Sequence, residues 1–315
     1  MKSRRILAGL SLCALLTASP ALAQEAESCS TVRLSDVGWT DITATTAVAR
    51  QILDGLGYQP DVKILSVPVT FASLANNDLD VFLGNWMPAQ SNDLKKYLDD
   101  GSIVQVHTNL EGAKYTLAVP KYLHDAGLQD FADIHKFRDE LGGKIYGIEP
   151  GNDGNSLVIG LIENDEFDLG DFELVASSEQ GMLSQVARAT RSEQPVVFLG
   201  WAPHPMNSTY DIEYLSGGDE TFGPNFGGAT VYTVTREGYS EECPNVGKLL
   251  TNLTFDLEME NEIMGKILDD GQEPAEAAEE WLKANPDRLD AWLEGVETTD
   301  GEEGLAAVRE SLGIS

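Results

Sequence analysis

The apolar positions of this chain fall into two alternating periods. Val32 to Val37 reads as a strand that stops at Gly38-Trp39. Ala44, Ala47, Val48, Ile52 and Leu56 then share one helical face, with Asp41 or Thr43 as the cap and Gly57 as the stop. Val62 to Val69 predicts a second strand whose Val, Ile and Leu content suits a sheet covered on both faces. A short helix near Phe71 to Asn76 leads into a strand over Leu79 to Leu83, which ends at Gly84-Asn85-Trp86-Met87-Pro88. Ala113 to Val119 and Lys144 to Ile148 predict further strands, the latter running into a turn over Glu149 to Asn155. A helix over Met182 to Arg191 precedes the strand in Gln194 to Leu199, and Ile212 to Leu215 and Ala229 to Val234 complete the set. Val246 to Asn252, Asn261 to Leu268, Pro274 to Ala284 and Asp287 to Leu293 read as helices. Strands alternating with helices predict an α/β fold.

One phrase occurs twice. Val81-Phe82-Leu83-Gly84-Asn85-Trp86-Met87-Pro88 and Val197-Phe198-Leu199-Gly200-Trp201-Ala202-Pro203 each give a strand, a glycine, a tryptophan and a proline. Two α/β lobes of like design are expected, each presenting a tryptophan from the carboxyl end of a strand, where open α/β sheets hold ligands. The interruption between the phrases predicts that the chain leaves the first lobe near residue 111, builds the second, and returns near residue 208. Lobe I is then residues 24–111 with 208–315, lobe II residues 112–207, and the two crossings form a hinge beside a cleft.

At the amino terminus, Lys2, Arg4 and Arg5 precede an apolar run from Ile6 to Leu16 and the small-residue site Ala21-Leu22-Ala23. This reads as a signal peptide over residues 1–23, cleaved near Ala23, and places the mature protein in the periplasm. Cys13 sits inside the apolar run and Gln24 follows the cleavage site, so no lipid anchor is expected. Losing three cations takes the net charge from −31 to −34, which excludes nucleic acid as a partner class. Such a charge serves solubility or a salty environment first, and cation steering second. Of three cysteines, Cys29 and Cys243 remain after processing, in a compartment that permits disulfides; they are expected to pair, the alternative being two buried thiols. The 292 residues left of 315 exceed one comfortable core, in keeping with two lobes.

Five tryptophans stand out. Trp281 and Trp292 have apolar neighbours at helical spacing and read as core. Trp39, Trp86 and Trp201 lie beside Gly or Pro at the ends of strands, where a large ring suits a tight turn only if it has something to contact. Each alone is as readily an anchor for its own loop; three at equivalent ends favour a shared site. Tyr115, inside Lys114-Tyr115-Thr116-Leu117, reads as a plain strand residue. Asp41 is a helix cap or a negative charge at the site, and Asn152 in the Pro150–Gly154 turn offers an amide beside backbone donors. Aromatic faces and negative charge are the means of holding a quaternary ammonium, which has no proton to donate.

Enzyme chemistry is not expected. The chain has no Gly-x-Ser-x-Gly elbow, phosphate loop or dinucleotide fingerprint, and His107, His124, His135 and His204 lack metal-ligand spacing. No catalytic residue, metal or cofactor is assigned. An adhesion module using the tryptophans as an exposed patch is the remaining class.

The chain resembles the choline-binding members of the substrate-binding proteins of ABC transporters, related to glycine betaine and proline betaine binders. The resemblance covers essentially all of the mature chain. It is carried by Gly38-Trp39-Thr40-Asp41-Ile42-Thr43, the two phrases above, Ala113-Lys114-Tyr115-Thr116-Leu117, and Tyr146-Gly147-Ile148-Glu149-Pro150-Gly151-Asn152-Asp153-Gly154-Asn155. It implies a two-lobe type II periplasmic binding protein, a monomer, that hands its ligand to a permease and its ATPase. It also implies a cage of Trp39, Trp86, Tyr115 and Trp201 around a trimethylammonium group, Asp41 and Asn152 on the ligand hydroxyl, and the Cys29–Cys243 disulfide. Between ligands of this class, glycine betaine would call for Arg, Lys or backbone donors at its carboxylate. Lys114 is the one cation near the proposed cage, and strand alternation turns it away from Tyr115. Asp41 would repel a carboxylate, so choline is expected, with acetylcholine or a betaine weaker.

Overall fold

The computed structural model describes residues 27–314; the expected signal peptide and its cleavage site lie outside the described residues. The first βαβ unit forms from the segments whose pattern predicts it. Strand β1 (Thr31–Asp36) leads through the helix Thr40–Gly55 to β2 (Gln59–Ile64), and both β2 and β3 (Val81–Met87) run parallel to β1. The further strands are β4 (Ile103–Pro120), β5 (Lys144–Tyr146), β6 (Glu173–Val175), β7 (Phe198–Ala202), β8 (Ile212–Tyr214) and β9 (Gly228–Arg236). Among the described residues they make one mixed sheet in the order β2-β1-β3-β9-β4-β7-β5-β6, with β8 on the far end of β4.

β4 and β9 hold the middle of this sheet. β9 is antiparallel to both β3 and β4, and β4 continues past it to pair antiparallel with β7 and β8. Three register shifts interrupt the β4–β9 ladder, the last between Leu110 and Ala113. Bulges of this kind bend a strand and increase its twist. On one side of the pair lie β1 to β3 with the helix Thr40–Gly55, against which the helices Leu257–Leu268, Pro274–Ala284 and Gly304–Ser311 pack. On the other lie β5 to β7 with the helices Asp153–Glu163 and Glu179–Arg191. Residues 212–227, which the sequence pattern groups with the first lobe, sit with this second set. Their strand β8 pairs with Ala118 to Pro120, and Phe222 packs on Phe131 and Tyr115 at ring separations of 5.8 and 6.1 Å.

Several expectations need correction. The second strand ends at Ile64 and a helix spans Val67–Ala75, because Pro68 lacks the N–H a ladder requires but fits the first turn of a helix. That strand is an edge, not a strand covered on both faces: Ile64 is 75% exposed. The first helix starts at Thr40, with Trp39 in the cap position and no side-chain cap of its own. Trp86 and Trp201 lie within β3 and β7, not beyond them. The segment expected as a turn at residues 149–155 opens the helix Asp153–Glu163, where the Asn152 side chain caps the Asn155 N–H. Trp281 and Trp292 are buried and stacked on each other, with centroids 6.3 Å apart.

Cys29 and Cys243 form the disulfide, joining the turn before β1 to the start of the helix Pro244–Asn252 across a separation of 214 residues. Both residues are buried. Closing so long a loop removes freedom mainly from the unfolded chain. Replacing both cysteines by serine should lower unfolding stability by about 2–5 kcal/mol without loss of helix or strand content. Denaturant titration followed by circular dichroism checks this, with the reduced parent protein as control.

Candidate functional site

Trp39 follows the turn at Gly38, whose φ of +81° suits glycine. The Asp36 side chain pins that turn, accepting from the Gly38 N–H at 2.7 Å and from the Thr43 hydroxyl at 2.8 Å. Two residues on, Asp41 is 1% exposed; its Oδ2 accepts a hydrogen bond from the Trp86 indole at 3.1 Å. Its Oδ1 has no partner among the described residues. Gly84, one turn of the pleat before Trp86, leaves room for the helix: a Cβ there would sit 2.8 Å from Ile42. The glycine of the first repeated phrase is thus a close-approach residue. Its counterpart Gly200 lets β7 lie against Ala118 of β4, where a Cβ would come within 2.9 Å of the alanine methyl.

Tyr115 on β4 stands directly opposite Trp201 on β7, which puts both rings on one face of the sheet. The rings meet edge to face at 6.3 Å, and Tyr115 meets Trp86 in the same manner at 6.1 Å. The Tyr115 hydroxyl donates to Asn152 Oδ1 at 2.9 Å, and Gly154 makes this reach feasible, since a Cβ at that position would fall 2.0 Å from the hydroxyl oxygen.

A small cavity is lined by Trp39, Asp41, Trp86, Tyr115, Ile148, Asp153 and Trp201. The three tryptophans and Tyr115 therefore converge on one space. Asn152 does not lie on that wall; it caps the helix behind it and orients Tyr115. Asp153, its neighbour, does lie on the wall, 2% exposed with Oδ2 unpartnered among the described residues. The motif containing Asp153 is visible in the sequence, but a turn reading gives that carboxylate no role; its place at the start of a helix aims it inward.

The cavity is electrically unusual. Burial, with the nearby charge of Glu179 adding, pushes the Asp41 carboxyl up to about 8. Burial, with Asp93 and Glu149 adding, pushes Asp153 up to about 7. Glu260, on the helix Leu257–Leu268, is also buried and raised, first by burial and then by Asp41. Burial holds the Tyr115 phenol well above its ordinary value. Among the described residues, no Lys or Arg is on the wall. Lys114 points away, its Nζ 5.6 Å from the ring centroids of both Tyr214 and Phe226. A space walled by aromatic faces and two buried carboxyls can hold a cation that makes no demand for hydrogen-bond acceptors around its charge.

Two contacts join the sides of the cavity from β1 and β5 to β7. The Trp39 indole donates to Glu149 Oε1 at 2.9 Å. Glu179 accepts from both the backbone N–H and the hydroxyl of Thr40, at 2.9 and 2.5 Å. Neither glutamate is singled out by the sequence: Glu179 stands in a first helical turn, where an acid has an ordinary role, and Glu149 stands in the loop before the helix Asp153–Glu163.

A family profile described as the substrate-binding domain of ABC-type glycine betaine transport systems matches residues 30–284. An ABC-transporter choline binding protein, solved in complex with choline, is 63% identical, with a TM-score of 0.91 over 92% of this chain and all of that one. The lactococcal glycine betaine-binding OpuAC in its closed-liganded conformation is 26% identical, with a TM-score of 0.75 over 83% of this chain and 98% of that one. The glycine betaine/carnitine transport binding protein GbuC of Listeria monocytogenes is 30% identical over 165 residues, 52% of this chain and 54% of that protein.

The raised carboxyls give a stability signature. A group whose folded pKa lies above its unfolded value stabilises the fold below the unfolded pKa and loses that contribution as pH climbs through the folded one. For Asp41 and Asp153 the loss runs from about pH 4 to about pH 8. The melting temperature of the ligand-free protein should therefore fall across this range, and Asp41→Asn should flatten the slope. A variant slope equal to that of the parent would contradict a buried, proton-retaining Asp41.

Proposed function

Because this chain belongs to the substrate-binding domains of ABC-type glycine betaine transport systems, we propose that it captures choline between its lobes and delivers it to the importer. The family is one of transport substrate-binding domains, not of enzymes. The observation that carries the ligand choice is the pairing of four aromatic faces with the two carboxyls of Asp41 and Asp153 in a wall without Lys or Arg. Ring quadrupoles attract a quaternary ammonium by about 0.5–2 kcal/mol per contact once water is excluded, and the carboxylates supply the counter-charge. Asp41 Oδ1 and Asp153 Oδ2 are free to accept, so either one can take the single hydroxyl proton of choline, with Asn152 orienting Tyr115 behind them. Glycine betaine is the second reading, favoured by the family description. Its carboxylate would meet Asp41 and Asp153, while Lys114 is turned toward Tyr214 and Phe226.

The protein acts as an exported periplasmic monomer whose partners are the membrane permease and its ATPase. Its lobes divide at the β4 bulge near residue 111 and, given the packing of residues 212–227, near Gly228 instead of residue 208. Trp39, Asp41 and Trp86 belong to one lobe and Tyr115, Asp153 and Trp201 to the other, so the cage is complete only when the lobes meet.

Isothermal titration with choline, glycine betaine, carnitine and acetylcholine in parallel tests the ligand class, with choline expected to bind most tightly and glycine betaine to reverse the proposal if it does. Trp86→Ala should cost about 2 kcal/mol, or about thirtyfold in choline affinity, with little loss of fold. Unchanged affinity in that variant removes the cage from the account. A permanent cation favours the ionised carboxyls, so choline binding should release protons below about pH 8 and tighten as pH rises from 6 to 9. Titrations in buffers of different ionisation enthalpy measure that release directly.

A further inference from the structure

We propose that Glu179 is the clasp that sets how long the closed protein retains its ligand, acting through Thr40 without touching the ligand. The proposal rests on the cavity being the ligand site. Glu179 is 2% exposed and absent from the cavity wall, yet both of its carboxyl oxygens are in use, taking three hydrogen bonds between them. Its Oε2 accepts from the Thr40 N–H, and its Oε1 accepts from the Thr40 hydroxyl and from the ring of His204 at 3.1 Å. The His204 tautomer follows from its other nitrogen: Nδ1 accepts from the Met206 N–H at 2.9 Å, so the proton is on Nε2 and is donated to Glu179.

The contact spans the cleft. Thr40 opens the helix after β1, whereas Glu179 opens the helix after β6 and His204 follows β7. The helix Thr40–Gly55 has no cap of its own, and its first free N–H is satisfied by a carboxylate from across the cleft, where the helix dipole also favours negative charge. The residues on either side of Thr40 are Trp39 and Asp41, both on the cavity wall; His204 packs against Trp201, with rings 4.9 Å apart. A single buried carboxylate thus ties two opposite walls of the cage at positions adjacent to the ligand. When such a pair parts, water re-solvates both members; while it is closed, removing one member leaves the other buried and unpaired. Loss of the clasp should therefore act on release more than on capture.

The test uses Glu179→Gln, Thr40→Val and the double variant. Stopped-flow tryptophan fluorescence reads choline association and dissociation, and one spin label on each lobe reads the distance between lobes with and without choline. Glu179→Gln is expected to raise the dissociation rate at least about tenfold with association changed less than threefold. It should also shift the ligand-free distance distribution toward the open form. Thr40→Val, which keeps the backbone donor, should act in the same direction, and the double variant should be no worse than the stronger single. Unchanged dissociation and unchanged ligand-free distances in folded Glu179→Gln, or fully additive effects of the two substitutions, would overturn the proposal. The ligand-free distances decide the matter even if the parent protein fails to bind choline, so that a failure of the ligand reading is recognised separately.

Discussion

Carboxylates buried without a basic partner are the constraint around which this molecule is organised. Asp80 shows the ordinary solution. It is as buried as Asp41, but Arg33 and Arg236 reach it at 2.6 and 2.8 Å. Burial pushes its pKa up, the two guanidinium groups outweigh that, and the net direction is down. Asp41 and Asp153 receive no such help, and both rise. The difference lies in where the cations of the chain are held: Arg33 and Arg236 on Asp80, Lys114 beside the rings of Tyr214 and Phe226. Under the proposed function, the charge missing at Asp41 and Asp153 is supplied by the cationic ligand.

The fold serves that placement through close approaches that depend on missing side chains. Gly84 admits the helix start that carries Asp41, Gly154 admits the Tyr115 hydroxyl, and Gly227, with a φ of +70°, runs past the Tyr115 carbonyl at a distance a Cβ would block. Opposed strand positions then do the rest, since Tyr115 and Trp201 are direct partners across the β4–β7 ladder. Three of the four rings, Trp86, Tyr115 and Trp201, are carried by strands, while Trp39 sits in the turn before the first helix.

Much of this was legible in the sequence where the signal is local. The repeated Phe-Leu-Gly phrase marks Trp86 and Trp201 because strand, glycine and ring lie within a few residues of one another. Tyr115 is ordinary by pattern and enters only through family resemblance. The second strand was displaced because Leu65 and Val67 continue an apolar run that Pro68 in fact diverts into a helix. The first half of β4 was missed since its bulges break the two-residue alternation that identifies a strand. Glu179 and Thr40 are 139 residues apart and each has a sufficient local explanation, so their relation exists only in three dimensions.

The crossings between the two halves of the sheet are not separate linkers. β4 and β9 are hydrogen-bonded to each other from Ile103 to Lys114, so any change in the angle between the halves flexes a two-stranded ribbon. Such a ribbon behaves as a leaf spring: it bends across its thin dimension at the bulges and resists shear and rotation in its plane. Under the proposed hinge motion, bending at the bulges would bring Thr40 and Glu179 back together each time the halves close, so that re-engagement is set by the ribbon that joins them.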